Sequence, residues 1–202
     1  MSARRRVLSA ALCAAALVAC RTPVEVVASS LAAPPAASDD GAEPAPPAPR
    51  KPAPGAQPVW LESVEDRRTD PSLGDVHGRP FSSTQVSQWL ERELESLVSP
   101  TIYVMKATGP GAGGKLWLRA RILKAYVSGV GVTKTATVVL EIDFVAPDGS
   151  ATSRVFRGQH ASMNWWNTEG EVIGALREAG SNCLEQIRLA IEARLRTPDL
   201  RG

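Results

Sequence analysis

Histidine, cysteine and aromatic residues are scarce in this chain of 202 residues, with two histidines, three cysteines and 5% aromatics. No Cys, His or Asp cluster stands at metal-ligand spacing, so a protein-held metal or metal cofactor is not expected. The pattern G-x-S-x-G is missing, which removes the nucleophile elbow of the serine hydrolases. No run of about 18 apolar residues occurs, so no segment has the length of a spanning helix. An excess of one charge is missing as well. The net charge is +2, but Arg4, Arg5 and Arg6 precede any acid; beyond position 19 there are 20 bases and 21 acids, and from Pro58 onward 17 of each. Such a chain lacks the basic surface that neutralises phosphates, which speaks against a nucleic-acid partner. What remains, 44% hydrophobic and 22% charged residues, excludes fibrous, collagen-like and wholly disordered classes.

The first twenty residues, MSARRRVLSAALCAAALVAC, read as an address. Arg4 to Arg6 form a positive start, and Val7 to Ala19 an apolar stretch of 13 residues, right for a secretory signal but short for a membrane span. Leu17-Val18-Ala19-Cys20 resembles a bacterial lipobox. The resemblance implies cleavage before Cys20, a diacylglyceryl thioether on its sulfur and acylation of the new amino group. Several acyl chains at about 0.8 kcal/mol per buried CH₂ anchor a protein stably where one does so marginally. Arg21 stands where the best-known sorting rule has an inner-membrane Asp, which favours the periplasmic face of the outer membrane, with inner-membrane anchoring the alternative. The plainer alternative is simple secretion with cleavage after Ala16. Cys13 leaves with residues 1–19 and Cys20 is acylated, so only Cys183 keeps a thiol, and no internal disulfide is available. Its place on the apolar face of a helix predicts a buried, inert group.

Residues 20–58 read as a lipidated N-terminus followed by a disordered Pro/Ala-rich tether, with nine of the sixteen prolines between Pro34 and Pro58. Apart from Val26, Val27 and Leu31, residues 21–58 hold no large aliphatic. A semi-stiff tether from Leu31 to Pro58 reaches at most about 85 Å at ~3.1 Å per residue, and is expected to move the domain away from the membrane.

Residues 59–197 read as one periplasmic domain and 198–202 as a tail. Val59 to Val64 make a strand, and Asp66 to Pro80 a polar loop with turn signals at Asp70-Pro71, Gly74 and Gly78. Ser82-x-x-Gln85 has the form of a capping box before a helix whose apolar face carries Val86, Trp89, Leu90, Leu94, Leu97 and Val98, stopped by Pro100. Thr101–Met105, Leu116–Ile122, Thr135–Phe144 and Ser153–Met163 are strands, the last two joined by the turn Pro147-Asp148-Gly149. Thr168-x-x-Glu171 opens a second helix burying Val172, Ile173, Leu176, Cys183, Leu184, Ile187, Ile191 and Leu195, with Gly180 a candidate bend. The expected fold is a two-layer α+β domain in the order β-α-β-β-β-β-α. Its sheet is mixed and mostly antiparallel, with two helices on one face. The first helix suits a crossover between parallel strands.

That arrangement leaves one sheet face, with Trp117, Arg119, Arg121, Glu141 and Asp143, without a helix. Trp117, Arg119 and Arg121 are candidate binding residues, and Trp165 and Trp166, at the junction of last strand and last helix, are candidates either for binding or for junction packing. Asp66, Arg67 and Arg68 predict a structural ion pair or turn. Gly109, Gly111 and Gly114 mimic a nucleotide loop, and Lys115 extends the mimicry to a phosphate-binding loop. A strand rather than a helix follows, and Leu116 stands where a magnesium-holding Ser or Thr belongs, so no nucleotide is expected. His77 in a loop and His160 in a strand have no partner set, which leaves a hydrolase site no obvious members.

The lipobox, Val64-x-Asp66-x-Arg68 followed by Leu73-Gly74, Ala120-x-Ile122-x-x-Ala125-Tyr126 and the helix after Trp165-Trp166 together resemble the YajG-like family of uncharacterised bacterial lipoproteins. The resemblance implies a membrane-anchored, periplasm-facing domain with no catalytic residues to carry over. The resulting expectation is a non-catalytic lipoprotein, held by acyl chains on Cys20, that binds an envelope protein as an accessory of an assembly or transport complex. The alternative is a module that binds peptidoglycan, glycan or lipid.

Overall fold

The computed structural model describes residues 23–27, 30–31, 51–76, 78–107, 114–163 and 168–196. The strands are β1 (Val24–Glu25), β2 (Gln57–Asp66), β3 (Ser72–Val76), β4 (Arg79–Ser82), β5 (Ile102–Lys106), β6 (Trp117–Val130), β7 (Thr133–Val145) and β8 (Ala151–Met163). The helices are α1 (Val86–Glu95) and α2 (Glu169–Arg196). All eight strands join one mixed sheet, and the helices pack on it, α1 on β2 and β5, α2 on β6, β7 and β8. This is the expected α+β layering. As the α1 pattern suggested, it links two parallel neighbours, β2 and β5. Antiparallel β6, β7 and β8 form the meander, with β7 and β8 in unbroken register from Thr133↔Met163 to Val145↔Ala151.

Alternation in sequence becomes sidedness in space. On the helix side Leu118, Ala120 and Ile122 of β6 and Ala136, Val138, Leu140, Ile142 and Phe144 of β7 are buried, beneath Leu176, Cys183, Leu184, Ile187 and Ile191 of α2. Each fully buried large aliphatic is worth about 1.5–3 kcal/mol, so this layer supplies most of the stability. Cys183 is among these buried residues, and burial pushes its thiol up to about 11, which matches an inert sulfur.

Strand β6 is the pivot. Along one edge it pairs throughout with β7; along the other its first half pairs in parallel with β2 and its second half with β3. The sheet therefore forks between Asp66 and Ser72. Arg68, nearly buried, holds the fork: it forms a two-pronged pair with Asp66 and donates to the Ser83 carbonyl at 2.7 Å. Burial works against the Asp66 carboxylate, but the hydrogen bonds and charge of Arg68 hold its pKa below the ordinary value. The expected ion pair is thus present between Arg68 and Asp66.

Five features differ from the sequence reading. The first is the end of α1: it stops at Glu95, not at Pro100, and Val98 forms an antiparallel bridge with Tyr103. Second, Asp66–Pro80 is not one loop: Ser72 to Val76 pairs with Arg79 to Ser82 as a hairpin. Its turn is held by Asp75, whose carboxylate accepts the Gly78 amide at 2.6 Å. Gly74 has φ +98°, and a Cβ there would lie 1.9 Å from the Val127 carbonyl oxygen, so only glycine lets β3 reach β6. What reads as a breaker is a contact.

The third difference is N-terminal. The segment 20–58 is not tether throughout: Val24–Glu25 pairs in parallel with β4, while Val26 and Leu31 are wholly buried in the core. Glu25 accepts hydrogen bonds from Ser82 Oγ and the Thr84 amide, and Arg177 Nε donates to the Leu31 carbonyl at 2.7 Å. Two of the three large aliphatics of an otherwise Ala/Pro-rich stretch are what the core takes up, while Val27 stays exposed. Strand β2 also begins at Gln57, two residues before the expected domain boundary.

Fourth, Ser82 does not cap α1. Its hydroxyl goes to Glu25, and the helix starts after Gln85 without a side-chain cap. Thr168, by contrast, accepts the Glu171 amide at 3.3 Å as expected, while the Glu171 carboxylate turns to the buried Lys134. Finally, α2 runs unbroken through Gly180, because that glycine is where Trp89 of α1 abuts it: a Cβ there would sit 2.9 Å from the indole.

Near the other end of α2, Glu192 is buried and accepts from Ser99 Oγ at 2.7 Å and from Arg188 at 2.6 Å. Burial works to raise its pKa. The hydroxyls of Ser99 and Thr101 and the Arg188 guanidinium outweigh it and hold the carboxyl below its usual range.

Candidate functional site on the open sheet face

The face opposite the helices carries the alternate residues of the same strands. Trp60 and Trp117 are register partners on β2 and β6, and Arg119 and Arg121 follow on β6. A β-bulge in β2 between Leu61 and Ser63 makes Glu62 the extra residue. The bulge re-aims Glu62 at Arg119, with Arg119 Nε to Glu62 Oε2 at 2.7 Å in an exposed pair. Arg121 is half-buried between Glu141, at 3.0 Å, and Asp143, and Ser153 donates to Glu141 at 3.0 Å. Three carboxylates thus meet two guanidinium groups. Within this set there is no surplus positive charge.

At the start of β6 lies a cleft of about 560 Å³, lined by Glu62, Ala107, Trp117, Arg119, Val145 and the β7–β8 turn residues Ala146, Pro147 and Gly149. That volume falls within the range of ligand and side-chain pockets. Its wall is an indole beside a paired charge, with aliphatic atoms opposite. Among the described lining residues there is no histidine, thiol or hydroxyl nucleophile, and among all described residues no group of three or more His, Cys, Asp or Glu stands ready to hold a metal. What the cleft can do is hold an apolar or aromatic group against Trp117 while hydrogen bonds are exchanged with Arg119 and Glu62.

Of the candidates read from sequence, Trp117, Arg119 and Arg121 share this face, with Trp117 and Arg119 in the cleft. Trp165, Trp166 and His77 lie outside the described residues, as do Cys20 and Gly109 to Gly113. Met163, the last described residue before the Trp pair, is in register with Thr133, at the opposite end of the sheet from Trp117. His160 is in register with Ala136, also away from the cleft. Sequence reasoning missed Glu62 and Ala107. Glu62 was within reach, since it stands two residues from Trp60 in an alternating strand; the bulge that aims it was not.

The fold and cleft define a class: a two-layer α+β domain with a groove on the sheet face opposite its two described helices. No family model matches the chain, and no curated protein sequence matches it. Similar solved structures include a protein of the DUF330 family from Xanthomonas campestris, at 14% identity and TM-score 0.48, covering 75% of this chain and 94% of that one. They also include a lipoprotein from Neisseria meningitidis (10% identity, TM-score 0.36, 69% and 97% covered). A third is a minor lipoprotein from Acinetobacter baumannii (11% identity, TM-score 0.36, 69% and 94% covered).

Proposed function

We propose that this chain is a lipid-anchored lipoprotein of the bacterial envelope, without a catalytic centre, that binds a partner protein through the cleft at Trp117 and Arg119. The observation that carries the binding role is the cleft itself: an indole and an exposed Arg119–Glu62 pair on a sheet face that no helix covers. Half-exposed Trp and Arg at the centre of a groove are the residue types that dominate protein interfaces. The signal sequence and Cys20 support the anchor, and Arg21 supports the outer membrane over the inner. Acyl chains on Cys20 are the membrane contact, an envelope protein is the partner, and no cofactor is required.

A photocrosslinking residue placed at Val145, on the cleft wall, tests this in intact cells. One defined adduct is expected, weakened several-fold by Trp117→Ala and by Arg119→Glu. No adduct, or an adduct indifferent to both substitutions, contradicts the partner reading. The same indole beside a hydrogen-bonding pair also suits a sugar ring. Co-sedimentation of the mature chain with purified cell wall, lost on Trp117→Ala, identifies a glycan in place of a protein.

A further inference from the structure

The strand registers determine which end of the sheet the N-terminus approaches. β1 is parallel to β4, β4 antiparallel to β3, and β3 parallel to β6, so β1 runs antiparallel to β6. Val24 is level with Phe81, Gly74 and Val127, and Pro23, one step back, is level with Ser128. Moving from Val24 toward the N-terminus is therefore moving toward the C-terminal end of β6. At that end stand the β6–β7 turn at Gly131 and Val132, the β3–β4 turn before Arg79, and the close of β8, where Met163 pairs with Thr133. Val132 and Met163 are 71% and 65% exposed, the two most exposed large apolar side chains among the described residues. Arg79, exposed at the β3–β4 turn two strands from β6, holds its guanidinium 5.5 Å from the Phe81 ring. The Trp117 cleft is at the other end of β6, about 43 Å away at ~3.3 Å per residue.

We propose that the Val132–Met163 end of the sheet rests on the membrane surface, with both side chains in the lipid interface and the Trp117 cleft facing away. The proposal rests on the acylation of Cys20. Cys20 precedes Pro23 by three residues, and fully extended chain covers about 11 Å in that span. The acyl chains therefore enter the bilayer within that distance of Pro23, at the same end of the sheet as the two exposed apolar side chains, which stand three to five strands across it at about 4.8 Å per strand. Apolar side chains in this position gain by entering the boundary between headgroups and tails. Residues 32–50, Pro-rich as they are, join Leu31 to the approach to β2 and do not lie between anchor and domain. The prolines thus do not set the distance from the membrane; the docked strand Val24–Glu25 does.

The test uses the mature, acylated chain in vesicles of phosphatidylethanolamine and phosphatidylglycerol. An environment-sensitive nitrobenzoxadiazole label is placed on Val132→Cys, on Met163→Cys and, at the cleft end, on Ala151→Cys. The native Cys183 is buried and the Cys20 sulfur is blocked by its thioether. Mass spectrometry of the N-terminal peptide is recorded on each sample. Labels at 132 and 163 are expected to shift to the blue and to be quenched several-fold more strongly than the label at 151 by lipids carrying a nitroxide on the acyl chain. Equal quenching at the three positions with Cys20 acylated overturns the orientation and leaves the anchor intact. A blue shift at 132 and 163 without quenching by the lipids means that protein, such as a second copy, covers that end, and also overturns it. An unmodified Cys20 overturns the anchor, and the orientation with it.

Discussion

The two faces of the sheet are written by the same strands and answer to different demands. In β6, Leu118, Ala120 and Ile122 are at most 1% exposed beneath the helices, while Trp117, Arg119 and Arg121, the residues between them, face outward. The covered face is close-packed, with Gly158 of β8 and Gly180 of α2 small because another element passes against them. The open face is held by ion pairs: Glu62 with Arg119, and Glu141 and Asp143 with Arg121. The exposed Glu62–Arg119 pair is of a kind that contributes little to stability, typically about 0–1 kcal/mol, so it is free to carry recognition.

The sharpest way to break the contrast is on β8, where the two faces alternate. A Cβ at position 158 would lie 1.9 Å from the Ala179 carbonyl oxygen. Gly158→Val is therefore expected to cost at least about 3 kcal/mol in urea unfolding, against about 0.5 kcal/mol or less for Arg157→Val on the other face. Equal losses would dissolve the distinction. Next is the N-terminal segment, which belongs to the covered side. Leu31→Ala should lose about 2–4 kcal/mol, as for a buried leucine, whereas a residue of a free tether would lose nothing.

A smaller effect comes from Glu192. Its folded-state pKa lies below the unfolded one, so the unfolded chain binds more protons as the medium turns acid. The stability it adds is present above the ordinary carboxylate range and is lost as pH falls through its depressed folded value. Glu192→Gln should lower stability at neutral pH by roughly 2 kcal/mol and flatten the acid side of the curve; an unchanged acid limb would mean that Glu192 is not held as described. The smallest stability effect is on the open face. Trp117→Ala and Arg119→Glu should each shift unfolding by about 1 kcal/mol or less while weakening the crosslink from the cleft several-fold, separating recognition from folding.

How much was readable without coordinates follows from where the information is local. Alternation in Leu116–Ile122 and Thr135–Phe144, the helical spacing from Val172 to Ile191 and the cap at Thr168 depend on neighbouring residues, and all of them hold. The β3–β4 hairpin was hidden because Gly74 and Gly78 signal turns equally well in a loop. Its pairing with β6 depends on a carbonyl at Val127, far along the chain. The docking of Val26 and Leu31 was hidden for a similar reason: isolated aliphatics among alanines and prolines have no period, and only the cavity beside β4 and α2 gives them a place. The open face was legible as a face. The cleft was not, since it takes the bulge at Glu62 and the 145–149 turn to build it.

The account depends most on how the chain is held in the envelope. Mass spectrometry of the mature N-terminal peptide tests this directly. A peptide beginning at Cys20, carrying a diacylglyceryl group on sulfur and an acyl group on nitrogen, is the predicted result. A free thiol at that position, or a mature chain beginning elsewhere, contradicts it.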